Sequence, residues 1–229
     1  MRLHRFYTGQ LALDHYVELT DRRLLDQWVK VLRFRPGQEV VLFDGLKYDR
    51  LYSLNELDRH SAKLELVTDF KRSLPAREVY LFWSLLKKDK NDWVLQKATE
   101  LGVTHFVPVL AERSEKTGFN QERAQKIIIE AAEQCGRSDI PTLRQPILVQ
   151  TALNEFAGKL PMFVAEQHDL TKPKTPNYKE VGVLIGPEGG WSDKEKQLFV
   201  TQEVGRLQLS DFTLRAETAC VTAVARLLA

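Results

Sequence analysis

Apolar residues recur at two different periods along this chain, and the change from one to the other divides it. Within residues 21–32, Leu24, Leu25, Trp28, Val29 and Leu32 stand at helical spacing, which predicts one amphipathic helix. Short alternating runs at 39–43, 48–56 and 62–67, separated by Asp44-Gly45 and by the polar stretch 57–61, read as strands. Residues 1–70 therefore read as a small β-rich domain, with five to six short strands and a helix fitting a barrel. Residues 71–77, KRSLPAR, combine charge with a proline and read as a linker.

From residue 78 onward, strand patterns alternate with helix patterns. Residues 79–86 form a continuous apolar run, 91–101 place Val94, Ala98 and Leu101 on one helical face, and 105–110 read as a strand. Residues 120–135 predict a helix with the stripe Ala124, Ile127, Ile128, Ala131 and Cys135. Runs at 162–165, 181–185 and 206–209 predict further buried strands, with helices at 193–203 and 217–228. This order is that of an α/β domain over residues 78–229, with a mostly parallel sheet covered on both faces. Ligands of such sheets sit beyond the carboxyl ends of the strands. Pattern alone stops at an unknotted, doubly wound sheet.

Composition narrows the class. A 43% hydrophobic and 28% charged chain of 229 residues can bury a core in each of two domains. No apolar run approaches the roughly 20 residues that cross a bilayer, and MRLHRFYTGQ has no signal core, so a cytoplasmic location is expected. A net charge of +2 does not announce a nucleic-acid partner, so any RNA affinity must come from local patches. Cys135 and Cys220 form no CxxC pair and are expected as buried free thiols on apolar helix faces. His4, His15, His60, His105 and His168 are scattered without ligand spacing, and no metal is expected.

Candidate chemistry lies in two loops. Residues 185–191, IGPEGGW, join an apolar strand to a helix, and Gly186, Gly189 and Gly190 allow backbone to approach a flat ligand closely. Residues 209–219, LSDFTLRAETA, repeat the order of strand, tight turn and helix start. Neither loop has the Lys-Ser/Thr of a phosphate-binding P-loop, which argues against a nucleotide-phosphate enzyme. The last helix carries Val221, Val224, Ala225 and Leu228, an apolar face expected to need a partner subunit.

IGPEGGW followed by LRAETA resembles the RsmE-type 16S rRNA uridine-N3 methyltransferases of the SPOUT class. Further matches lie at 95–103 (LQKATELGV), 112–114 (ERS), 130–137 (EAAEQCGR) and 43–45 (FDG), in the family's order. The resemblance implies a SPOUT-type C-terminal trefoil-knot domain behind a PUA-like RNA-binding β-barrel. It also implies a homodimer in which the knot forms the cofactor pocket, and methyl transfer from S-adenosylmethionine to N3 of a uridine in 16S rRNA, with the 30S subunit as substrate. Carried onto this chain, the cofactor site comprises Gly186, Pro187, Glu188, Gly189, Gly190, Leu209, Ser210, Leu214 and Thr218. Many members have glycine where this chain has Ser210. Arg215 would stabilise charge on the uracil oxygens, with Glu217 positioning it or accepting the N3 proton. Glu188 suits either the ligand or the following helix N-terminus. RNA contacts are expected from Arg2, Arg5, Lys87, Lys88, Lys90 and Arg113, with Phe6 and Tyr7 beside the first pair for base stacking. The alternative from another class is a non-catalytic RNA-binding or ribosome-assembly protein on the same fold.

Overall fold

A computed structural model describes residues 3–116, 118–166 and 178–228; Arg2 and His168 lie outside the described residues. The chain forms two compact units, Met1–Leu74 with Ala132–Ile140, and Pro75–Ala131 with Pro141–Ala229.

The first unit contains β1 (His4–Tyr7), β2 (Tyr16–Leu19), α1 (Arg22–Asp26), β3 (Glu39–Phe43), β4 (Asp49–Leu57) and β5 (Ala62–Asp69). The Asp21 carboxylate starts α1 by accepting hydrogen bonds from the Arg23 and Leu24 amides, and the helix continues as π-helical turns over Gln27–Leu32. The sheet order is β1-β3-β4-β5-β2, with β1 parallel to β3 and the other pairs antiparallel. Leu24, Leu25 and Trp28 bury their face among Phe6, Val40, Leu42, Tyr52 and Leu54. Alternation did not reveal β1 or β2, because His4–Tyr7 and Tyr16–Leu19 are short and become strands only through pairing with β3 and β5.

This packing corrects two expectations about the N-terminal residues. The Arg5 guanidinium donates from Nη1 to Asp49 Oδ1 at 3.0 Å and from Nη2 to Asp49 Oδ2 at 2.7 Å. Asp49 is buried and also accepts from Ser138 Oγ. Arg5 is thus consumed by a buried bidentate pair instead of facing RNA phosphate, and Phe6 belongs to the core instead of offering a stacking surface.

The second unit contains β6 (Glu78–Ser84), α2 (Lys88–Leu101), β7 (His105–Leu110), α3 (Gln121–Cys135, its last turn in the first unit), β8 (Thr142–Leu143), β9 (Ile147–Leu148), α4 (Val149–Phe156), β10 (Met162–Ala165), β11 (Glu180–Ile185), α5 (Asp193–Thr201), β12 (Gly205–Leu207) and α6 (Ala216–Leu228). Its sheet runs β12-β10-β11-β6-β7-β8, with β9 also on β7, and every pair is parallel. Phe82 and Leu184 face a cluster containing Val149, Ala152 and Leu153 of α4 and Phe199 of α5. Helix α6 packs on α2, β6 and β11.

Four details depart from the sequence reading. Helix α2 begins at Lys88, three residues early, because Asn91 is buried at the end of β6 and accepts from Trp83 Nε1 and the Leu86 amide. Helix α4 was not anticipated, although Val149, Ala152 and Leu153 have helical spacing. Cys135 is exposed, not buried, whereas Cys220 is fully buried. The apolar face read on α6 is only partly covered within the chain: Val224 is buried, Val221 and Leu228 are half-buried, and Ala225, counted in that face, is exposed. No helix of the described residues is long and apolar enough to cross a membrane.

Candidate active site

The buried run of β11 delivers the chain to the loop at residues 186–191. There the Gly190 amide donates to Pro187 O at 2.9 Å, and Gly190 has φ +68°, a conformation that favours glycine. Gly186 is needed for a different reason: a Cβ would lie 3.0 Å from Cε2 and 3.1 Å from Nε1 of Trp191. Trp191 is buried edge-on to Phe199, with ring centres 5.0 Å apart.

Helix α5 then begins with a capping box, Ser192 Oγ accepting from the Glu195 amide and Glu195 Oε2 from the Ser192 amide. The cap role weighed for Glu188 thus falls to Ser192 and Glu195. Glu195 Oε1 also accepts from the Glu112 amide at 3.0 Å, which fixes the ERS segment beside the loop. Arg113, exposed and expected as an RNA contact, donates from Nη1 to Gly189 O at 3.2 Å and braces the loop. Gly189 is not in the left-handed region, and a Cβ there would meet Arg113 Cβ at 3.3 Å.

The second loop follows β12. Ser210 Oγ accepts from the Phe212 amide at 3.1 Å, and Ser210 does not adopt positive φ, so serine fits this turn without backbone strain. The Arg226 guanidinium donates to Gln208 O and ties α6 back to this loop.

Between the two loops, at the carboxyl ends of β10 and β11, lies a cavity of about 440 Å³. One wall is Ile185, Gly186, Pro187, Glu188, Gly190 and Trp191; the other runs through Leu209, Ser210, Phe212, Leu214 and Arg215 to Ala219. Gly189 does not line it, and Thr218 is exposed outside it, so two expected cofactor residues stand off the wall. Trp191, Glu166 and Phe212 line it and were missed. Trp191 was visible as the end of the GPEGGW run, and Phe212 as an apolar residue in a polar loop, while Glu166 enters only because β10 ends there.

Charges at the rim are organised around Lys90. Its Nζ lies 3.3 Å from Glu217 Oε2 and 3.4 Å from Glu188 Oε1, whereas no ion pair joins Arg215 to Glu217. The carboxylate of Glu217, and then that of Glu188, hold the Lys90 ammonium above the ordinary lysine range against the opposing effect of desolvation. Arg215 is exposed on the cavity wall, and Lys87 and Lys88 are exposed at the start of α2. The volume lies within the roughly 300–1,000 Å³ range of small-ligand sites. The buried Trp191 Nε1 has no hydrogen-bond acceptor, and its indole packs against Gly186 to give the cavity an aromatic floor, features that suit a purine nucleoside. Among the described residues, no group of three or more His, Cys, Asp or Glu could hold a metal.

Comparison with known proteins gives two family matches: an RNA methyltransferase domain over residues 72–228 and an RNA methyltransferase PUA domain over residues 29–67. The chain is 31% identical to the ribosomal RNA small subunit methyltransferase E of Aquifex aeolicus, over 87% of this chain and 90% of that protein. It is 26% identical to the protein of that name from Rickettsia conorii, over 99% of this chain and 95% of the other. Among solved structures, the Neisseria gonorrhoeae ribosomal RNA small subunit methyltransferase E bound to S-adenosyl methionine matches with a TM-score of 0.87 at 29% identity, covering 98% of this chain and 96% of that one.

Proposed function

The chain belongs to the RNA methyltransferase domain family, and on that premise we propose that it methylates N3 of a uridine in 16S rRNA, using S-adenosylmethionine. The observation that carries this reading is the nucleoside-sized cavity between the 186–191 and 209–215 loops, in a chain that superposes on an S-adenosyl methionine-bound small subunit rRNA methyltransferase. Gly186, Pro187, Glu188, Gly190 and Trp191 would hold the cofactor from one side, and Leu209, Ser210 and Leu214 from the other. When bound, the cofactor supplies an electrophilic methyl group on its sulfonium.

The residues of the chain must then orient uridine and manage the charge that N3 develops. Arg215 is the cation on the cavity wall, and its guanidinium would stabilise negative charge on the uracil oxygens. Glu217 is engaged by Lys90 rather than by Arg215, so its part is to position the rim. Phe212, 80% exposed at the cavity edge, offers a face on which a base of the RNA can stack, and Lys87 and Lys88 remain for phosphate. The first unit would add RNA affinity, in keeping with the PUA-domain match.

The same reading includes the deep trefoil knot of the SPOUT class, a homodimer and a cytoplasmic location. The knot is supported by β12 crossing to the far side of β10 before α6 returns to pack on β6, β11 and α2. Exposed Val200 on α5 supports a partner subunit. Nucleoside mass spectrometry of 16S rRNA from a deletion strain tests the function: 3-methyluridine should disappear and return with the intact gene. An unchanged methyluridine content would overturn the reading, and a chain that also fails to bind S-adenosylmethionine would be a non-catalytic RNA binder.

A further inference from the structure

Lys90 reaches from α2 to Glu188 on one wall of the cavity and to Glu217 on α6, the helix whose Ala216 and Ala219 line the other wall. Glu188 sits on the loop after β11, Glu217 in the first turn of α6, and the Lys90 ammonium lies within 3.4 Å of a carboxylate oxygen of each. The lysine has a firm base, because the neighbouring Asn91 side chain is buried and makes hydrogen bonds to Trp83 Nε1, the Leu86 amide and Leu86 O. Glu217 Oε2 is buried and has no aligned hydrogen-bond donor among the described residues, so the ammonium is its close electrostatic partner. Removing one member of such a pair leaves a poorly compensated charge beside the other wall.

Other charged groups of α2 are directed elsewhere. Asp92 is paired with Arg123 and Lys97 with Glu100, while Lys88 and Asp89 are exposed. The titratable residues of the strands beneath α6, Glu78, Tyr80 and Glu180, share the strand register of Phe82 and Leu184, which face α4.

We propose that Lys90 is a positioning residue for the cofactor: its ammonium ties Glu188 on one wall to Glu217 on the first turn of α6, which carries Ala216 and Ala219 of the other wall, and so presets the spacing of the cleft. The tie lowers the reorganisation needed on binding, because the loops are already held at the separation the ligand uses. This inference rests on the assignment of the cavity to S-adenosylmethionine.

The test is calorimetric titration of S-adenosylmethionine into the full chain and into Lys90→Met, Lys90→Arg, Glu188→Gln and the Lys90→Met/Glu188→Gln double variant. Lys90→Met should weaken binding about three- to tenfold, the scale of a partly exposed ion-pair network, and Lys90→Arg should recover most of the loss. The double variant should bind no more weakly than the product of the single losses and measurably tighter, since both changes cut one tie. Wild-type affinity in folded Lys90→Met, or strictly additive losses, would overturn the proposal. If Lys90→Met does not fold, the cycle with Lys90→Gln carries the same reading. Gly186→Val separates the two levels: retention of affinity there removes the cofactor from the cavity, whereas its loss there beside an unaffected Lys90→Met removes only the tie.

Discussion

The indole of Trp191 lies directly over Gly186, so close that a Cβ on residue 186 would come within 3.0 Å of the ring. Gly186 is therefore glycine for packing, and its empty side-chain position is what lets the aromatic floor meet the backbone of the cavity wall. Gly186→Val should force Trp191 off Phe199, reduce stability by about 1–3 kcal/mol as overpacking does, and abolish cofactor binding. Thermal unfolding together with calorimetry checks it; undiminished affinity in the folded variant would remove this contact from the site.

Arg215→Ala should lower the single-turnover methylation rate on 30S subunits by about 10²-fold or more, while changing S-adenosylmethionine affinity little. Raising the pH should restore part of the rate, because a uridine already deprotonated at N3 needs less stabilisation of developing charge. A rate near wild type would assign Arg215 to the surface.

Asp49→Ala should destabilise the chain by about 3–5 kcal/mol, because it strands the Arg5 guanidinium, only 16% exposed, and takes an acceptor from buried Ser138. Urea denaturation measures this. Were Arg5 a phosphate contact instead, Asp49→Ala would leave stability nearly intact and steepen the salt dependence of 30S binding.

Cysteine labelling should separate the two thiols. Exposed Cys135 should react with iodoacetamide in the native protein, while Cys220 should react only after unfolding, since burial, reinforced by the charge of Glu217, pushes its pKa far up. Below the ordinary thiol pKa of about 8.5 both folded and unfolded chains keep the Cys220 proton, and stability is independent of it. Above that pH the unfolded chain ionises and the folded chain does not, so stability should fall as pH rises, and Cys220→Ala should flatten the fall. Equal labelling of both thiols in the folded protein would contradict this burial.

Local patterns in the sequence already determine much of this protein. The alternating apolar runs specify β3, β4 and β5, the continuous ones specify β6, β7 and β11, and IGPEGGW with LRAETA mark both loops of the cavity, because short-range periodicity and glycine geometry are properties of neighbouring residues. Tertiary structure decided what depends on distant partners. Arg5 could be recognised as a core ion only once Asp49 was beside it, and β1 became a strand only by pairing with β3. Thr218 looked equivalent to Leu214, yet the onset of α6 leaves it exposed outside the cavity while Ala219 lines it. Lys90 read as an RNA contact beside Lys87 and Lys88 until α2 brought it to Glu188, 98 residues away, and to Glu217. A charged side chain carries no sequence signal of its partner: whether it faces solvent or an opposite charge is set by how separate elements pack, and that packing turns two recognisable loops into one site.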